Sequence, residues 1–151
     1  MRDRLKDVLT VSLKAGEKRR VATVRLILAA IKDRDIAVRS DGQTDGVSDK
    51  EILAILQKMV KQRRESTILY REGGRLELAA QEEEEITIIE EFLPKQMGQE
   101  EMAVAVAEVV AERGATSLKD MGDVMGLLKE RYGGRMDFAK AAGQVKSRLS
   151  R

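Results

Sequence analysis

Apolar residues recur at intervals of three and four along most of the chain, the period of helices that turn one face to a core. From Arg2 to Ala15, Leu5, Val8, Leu9, Ser12 and Leu13 trace one face of a first helix, and Gly16 interrupts it. A second helix, from Glu17 to about Arg39, carries Val21, Val24, Ile27, Leu28 and Ile31 on a broad stripe, with Arg19, Arg20, Arg25, Lys32 and Arg34 on the rest of the cylinder. Its expected length is about 30 Å at the helical rise. Ser40 to Gly46 reads as an exposed, mobile loop by composition. Ser48-Asp49-Lys50-Glu51 then has the spacing of a capping box, in which the Ser hydroxyl accepts from the third amide and the Glu reaches back to the first. It starts a third helix with Ile52, Ile55, Leu56, Met59 and Val60 inward, polar from Lys61 to Ser66 and broken at Gly73-Gly74. The fourth helix, from about Arg75 to Leu93, sets Leu76, Leu78, Ile86, Ile89, Phe92 and Leu93 around the acidic run Glu82 to Glu85.

Pro94 is incompatible with helical geometry at Leu93, so the first unit is expected to span 1–94 and a second 95–151. In the second, Met102, Val106, Val109 and Val110 mark a fifth helix closed by Gly114, Met121, Val124, Met125 and Leu128 a sixth, and Phe138, Ala142, Val145 and Leu149 a seventh. Gly122 and Gly126 stand one turn apart on the sixth. Each weakens a helix by about 1 kcal/mol, and the expected compensation is a second helix lying against the bare backbone. Gly133 and Gly134 are expected to end that helix in the left-handed conformation, with Asp137 capping the next and Arg135 on the turn between. The predicted fold is therefore all-α, an N-terminal antiparallel helical bundle followed by a small three-helix C-terminal domain. Three short helices are marginal alone and would gain from docking on a partner or on the bundle.

Composition agrees and narrows the chemistry. One proline, 3% aromatic and 36% charged residues favour long solvated helices with cores of Leu, Ile, Val, Ala and Met. With no cysteine and no histidine, disulfides, thiolate nucleophiles, zinc fingers and imidazole acid-base chemistry are excluded. No cofactor and no metal are expected. Apolar runs reach only about six residues against the roughly 20 of a membrane span, and the N-terminus has no apolar leader, so a cytoplasmic protein without membrane attachment is expected. A net charge of +2 does not by itself imply nucleic acid.

The distribution of charge is more informative than its sum. From Lys58 to Arg75 there are six basic and two acidic residues, and from Glu77 to Glu91 seven acidic and none basic. Arg63, Arg64, Arg71 and Arg75 either line an anion-binding groove, since a guanidinium matches phosphate or carboxylate oxygens in a two-pronged way, or face the acids of the fourth helix. Glu82 to Glu85 reads as a solvated face or as the partner of that basic stretch, because no histidine is present to complete a metal shell. From Lys129 to Arg151 seven basic residues stand against Glu130 and Asp137. Neutralising a handful of phosphates is enough for sequence-independent nucleic-acid binding, and Tyr132 is the one aromatic nearby that could stack on a base.

The ordered set Arg63-Arg64-Glu65-Ser66, Tyr70, Gly74-Arg75, Phe92-Leu93-Pro94-Lys95-Gln96, Asp120-Met121-Gly122, Val124-Met125-Gly126 and Gly134-Arg135-Met136-Asp137 resembles the GatB/YqeY family over nearly the whole chain. The resemblance implies a helical bundle joined to a compact three-helix tail, similar to the tail of the B subunit of glutamine-dependent tRNA amidotransferases, which contacts the tRNA elbow. Asp123 stands where that tail often has lysine, and Met136 and Phe138 where it has small residues. On this basis Lys119, Arg131, Arg135, Lys140 and Lys146 are the candidate phosphate contacts of a non-catalytic tRNA-binding accessory protein, with an aminoacyl-tRNA synthetase or amidotransferase complex as further partner. The resemblance also implies a second role, as a component of a carbon-nitrogen ligase with glutamine as amido-nitrogen donor, although the ATP-dependent and glutaminase parts have no counterpart here. A third reading is a helical protein-interaction module.

Overall fold

The computed structural model describes residues 1–150. Among them all regular structure is helical, and contacts divide the chain into two compact units, Met1–Leu93 and one that begins at Pro94.

In the first unit, α1 (Arg2–Ala15) and α2 (Lys18–Arg39) form an antiparallel pair turned at Gly16, which adopts the left-handed conformation and satisfies the end of α1. α3 (Asp49–Glu72) and α4 (Leu76–Glu90) form a second antiparallel pair, and α2 packs against both of its helices. Leu5, Val24, Ile27, Ile52, Leu56 and Ile89 are fully buried at the centre. α3 begins as its sequence requires. Ser48 Oγ accepts from Glu51 N at 3.3 Å and the Glu51 carboxylate takes the Ser48 amide, a closed capping box.

Helix ends depart from the sequence reading in three places. Leu13 on α1 and Leu76 on α4, expected inside, are 49% and 66% exposed; Ser12, beside Leu13 in the last turn of α1, is buried, so Leu13 stands at the edge of the covered face. α4 stops at Glu90; the amides of Glu91, Phe92 and Leu93 bond three residues back, tightening the chain before Pro94.

The loop between α2 and α3 is fixed from below. Arg2 holds Asp35 through two 2.8 Å bonds and donates to Val47 O at 2.9 Å, while Asp35 Oδ1 accepts from Val47 N at 2.8 Å. Gly46 passes over this cluster at φ +84°, where an added Cβ would stand 2.9 Å from both Arg2 Nη2 and Asp35 Oδ1, so only glycine fits. These bonds hold the Asp35 carboxyl well below its ordinary range, at about 2.

The second unit contains α5 (Gln99–Arg113), a 3-10 turn (Leu118–Asp120), α6 (Met121–Tyr132) and α7 (Phe138–Leu149). Its core is Met102, Val106, Val109, Leu128, Met136 and Val145, with Ala141 giving close approach at the start of α7. Met136 and the half-buried Phe138 fill this core from the α6–α7 turn.

Gly122 and Gly126 do not provide the helix contact expected of them. Both lie on the exposed face of α6, and a Cβ built at either meets no atom within 4 Å. Val124, Leu127 and Leu128 face the core instead, which turns both glycines to solvent, and no packing contact accounts for their presence.

Candidate nucleic-acid interface

The turn that presents Arg135 is built from both glycines that precede it, but only one is left-handed. Gly133 (φ −54°, ψ 129°) and Gly134 (φ 84°) take the two central positions of a type II turn, closed by Arg135 N to Tyr132 O at 3.0 Å. The segment before α5 lies alongside, Gln96 donating to Gly134 O at 2.7 Å and Met97 N to Arg135 O at 2.8 Å. Asp137 then caps α7, accepting from Ala139 N and Lys140 N at 3.0 and 3.3 Å. Its carboxylate is thereby used by the backbone, close to Lys140 but not paired with it.

The candidate cations divide into two groups. Arg131 forms a two-pronged pair with Glu112 on α5, at 2.7 and 2.6 Å, and the contact holds the Glu112 carboxyl below its ordinary range. Arg135 reaches the Lys95 carbonyl at 3.4 Å and lies 3.9 Å from Glu101. These two arginines are turned toward α5 and its acids. Lys119, Lys140 and Lys146 are exposed and carry no ion pair among the described residues.

Lys119 is the middle residue of the 3-10 turn, which packs on both α6 and α7 and is held by Asp120, whose carboxylate accepts from Thr116 N at 2.9 Å and Ser117 N at 3.2 Å. Those amides keep the Asp120 carboxyl below its ordinary range, so it is ionised yet already bonded to the backbone. On α7, Lys140, Gly143 and Lys146 follow at steps of three along the exposed face, and nothing lies within 4 Å of a Cβ built on Gly143. On α6, Gly122, Gly126 and Lys129 follow at steps of four and three. The result is lysines beside stretches of bare backbone, a low relief over which a phosphodiester chain could approach.

Lys129 and Arg148, outside the candidate set, are also exposed and unpaired among the described residues. The signal for them is local: Lys129 has no carboxylate three or four residues away on its helix, and neither does Arg148. Arg151, counted in the basic excess, lies outside the described residues.

The arginines of α3, and Arg75 ahead of α4, face carboxylates and do not line an open anion-binding groove. Arg63 Nε meets Glu85 Oε2 at 3.1 Å with both side chains nearly buried, Arg64 meets Glu90 at 2.9 Å, Arg71 pairs with Glu83, and Arg75 lies 3.4 Å from Glu77. Arg19 of α2 adds to the same acidic run, 3.4 Å from Glu84 and 3.8 Å from Glu85. Glu82 is half-buried, and desolvation, with Glu85 nearby, pushes its carboxyl upward. Among the described residues no cluster of three or more His, Cys, Asp or Glu could hold a metal ion, and no helix is long and apolar enough to cross a membrane.

The two helical units and the glycine-arginine turn at Gly134-Arg135 are the features that the motif set led us to expect. The family model described as Yqey-like protein matches residues 2–149. The chain belongs to the Yqey-like protein family. It is also similar to a Schizosaccharomyces pombe protein described as uncharacterized, with 27% identity over 84 residues, or 56% of this chain. The match spans 64% of that relative's length.

Proposed function

We propose that this Yqey-like protein is a non-catalytic, cytoplasmic RNA-binding accessory protein whose second unit grips the shape of a folded RNA, namely tRNA. The observation that carries this reading is that Lys119, Lys129, Lys140 and Lys146 are exposed without a carboxylate partner among the described residues, whereas the arginines of α3 are all engaged by acids. Unpaired lysines on a solvated surface bind phosphate by releasing the counterions condensed on the nucleic acid, and need no base-reading motif. Bare backbone at Gly143 and Gly126 leaves room for that approach. Resemblance of the second unit to the amidotransferase B-subunit tail supports tRNA as the RNA and the machinery of aminoacylation or transamidation as the setting.

The test is fluorescence anisotropy of labelled tRNA with the full chain at low salt. Lys140→Glu with Lys146→Glu is expected to weaken binding at least tenfold and to do so alike for tRNAs of different sequence. An unchanged affinity would remove α7 from the interface and with it the reading.

A further inference from the structure

The outer ridge of α2 repeats every seven residues. Lys18, Arg25 and Lys32 form one line at this interval, and Ala22, Ala29 and Ile36 form the next; all six are exposed. Inside the basic line lie Val21, which is buried, and Leu28, which is half-buried, again seven apart. On α1, Leu9 is half-buried against the core and Leu13, 49% exposed, borders the seam between the two helices. At the α1–α2 turn the seam opens into a depression of about 330 Å³ lined by Leu13, Gly16, Lys18, Val21, Ala22 and Arg25. It belongs wholly to the first unit and includes none of the tail lysines.

Charge identifies what fits there. Lys6, Lys18, Arg25 and Lys32 have no ion pair among the described residues; the exposed Asp3, Asp7 and Asp33 stand beside Lys6 and Lys32, whereas Glu17, the carboxylate next to Lys18, lies 2.9 Å from Arg20, so the uncompensated charge is concentrated on Lys18 and Arg25 at the depression. An apolar line flanked by cations at seven-residue intervals is one side of a helix-to-helix seam, in which the facing helix presents apolar residues to the line and carboxylates to the flank. Nucleic acid fits less well, because the floor is aliphatic and offers no aromatic ring on which a base could stack. We propose that the α1–α2 groove docks an acidic amphipathic helix of a partner protein, antiparallel or parallel to α2 and running along its basic line.

The experiment uses the full chain with its Leu and Val methyl groups labelled for NMR. The probe is a synthetic helix of about three heptads, with Leu on one face and Glu at the flanking positions. The expected result is saturable shifts at Leu9, Leu13, Val21 and Leu28, an affinity at least tenfold lower for Arg25→Glu combined with Lys18→Glu, and recovery of that loss when the peptide's Glu residues are replaced by Lys. The substituted side chains are exposed, and circular dichroism establishes that the variant is folded. Equal binding of the Glu and Lys peptides to the unmodified chain, or no shift at these methyls, overturns the proposal. So does displacement of the peptide from the same methyls by tRNA, which would make the groove a nucleic-acid site. Concentration-dependent shifts of the same methyls without peptide would also overturn it, since a second copy of the chain would then be the occupant.

Discussion

Arg131 holds Glu112 through both of its terminal nitrogens, Nη1 to Oε2 at 2.7 Å and Nη2 to Oε1 at 2.6 Å. The pair ties the end of α6 to the end of α5 and places a carboxylate where a phosphate contact was expected. Removing the acid should therefore release the arginine. Glu112→Gln is expected to strengthen tRNA binding at low salt by up to about fivefold, the range spanned by exposed ion pairs. Arg131→Ala should change it little. Anisotropy titrations of the two variants beside the unmodified chain check the asymmetry; equal losses from both would mean that the pair itself meets the RNA.

Arg63 and Glu85 join α3 to α4 with side chains only 15% and 10% exposed. Glu85→Ala leaves a nearly buried guanidinium with the Met59 carbonyl as its remaining acceptor at 3.3 Å. The expected loss is about 2–3 kcal/mol, somewhat below the cost of breaking a fully buried pair. Arg63→Met together with Glu85→Leu should recover most of it, because the desolvation of both charges disappears. Urea unfolding of the single and double variants measures this, and a double variant less stable than Glu85→Ala would show that the pair is net stabilising.

Asp35 gives the bundle an acid-sensitive latch. Its carboxyl is held at about 2, first by the Arg2 hydrogen bonds and then by the Val47 amide, so the folded state favours the ionised form. That stabilisation is fully present above the unfolded value near 4 and is lost as pH falls from there toward 2. Asp35→Asn should lower stability at neutral pH by about 1–3 kcal/mol and flatten its pH dependence between pH 4 and 2. Thermal unfolding across that range is the check; parallel curves for the variant and the unmodified chain would place the acid sensitivity elsewhere.

How much of this was written in the sequence depends on the distance over which each feature is decided. Local signals were legible: the Ser48-Glu51 box, the Asp137 cap and the helix stops at Gly16 and Gly114 all depend on residues within a turn of one another. Features decided across helices were not. That Glu112 would take Arg131, nineteen residues away, required the rotation of α5 against α6. The same rotation turned Gly122 and Gly126 outward, whereas spacing alone could not distinguish a packed glycine from an exposed one. Leu13 and Leu76 follow the apolar period yet are exposed, because periodicity gives a face and not which residues at its edge a neighbouring helix covers.

The exposed glycines of α6 make a stability prediction. Since each has open space and helical backbone, Gly122→Ala and Gly126→Ala should each stabilise the protein by about 0.5–1 kcal/mol by removing freedom from the unfolded chain. Their combination should add, raising the melting temperature. Bulkier residues at the same positions should leave stability raised but weaken tRNA binding, if bare backbone beside Lys129 matters for approach. A melting temperature lowered by alanine would reveal a contact at α6 in the folded protein.

The account stands on lysines that meet phosphates, and the salt dependence of tRNA binding by the full chain tests it most directly. Plotted as log affinity against log salt, the slope is expected to correspond to about three to five phosphates at roughly 0.7–0.9 per contact, and to fall by about one for each of Lys119→Gln, Lys140→Gln and Lys146→Gln. A slope near zero, or one that none of these substitutions changes, would contradict it.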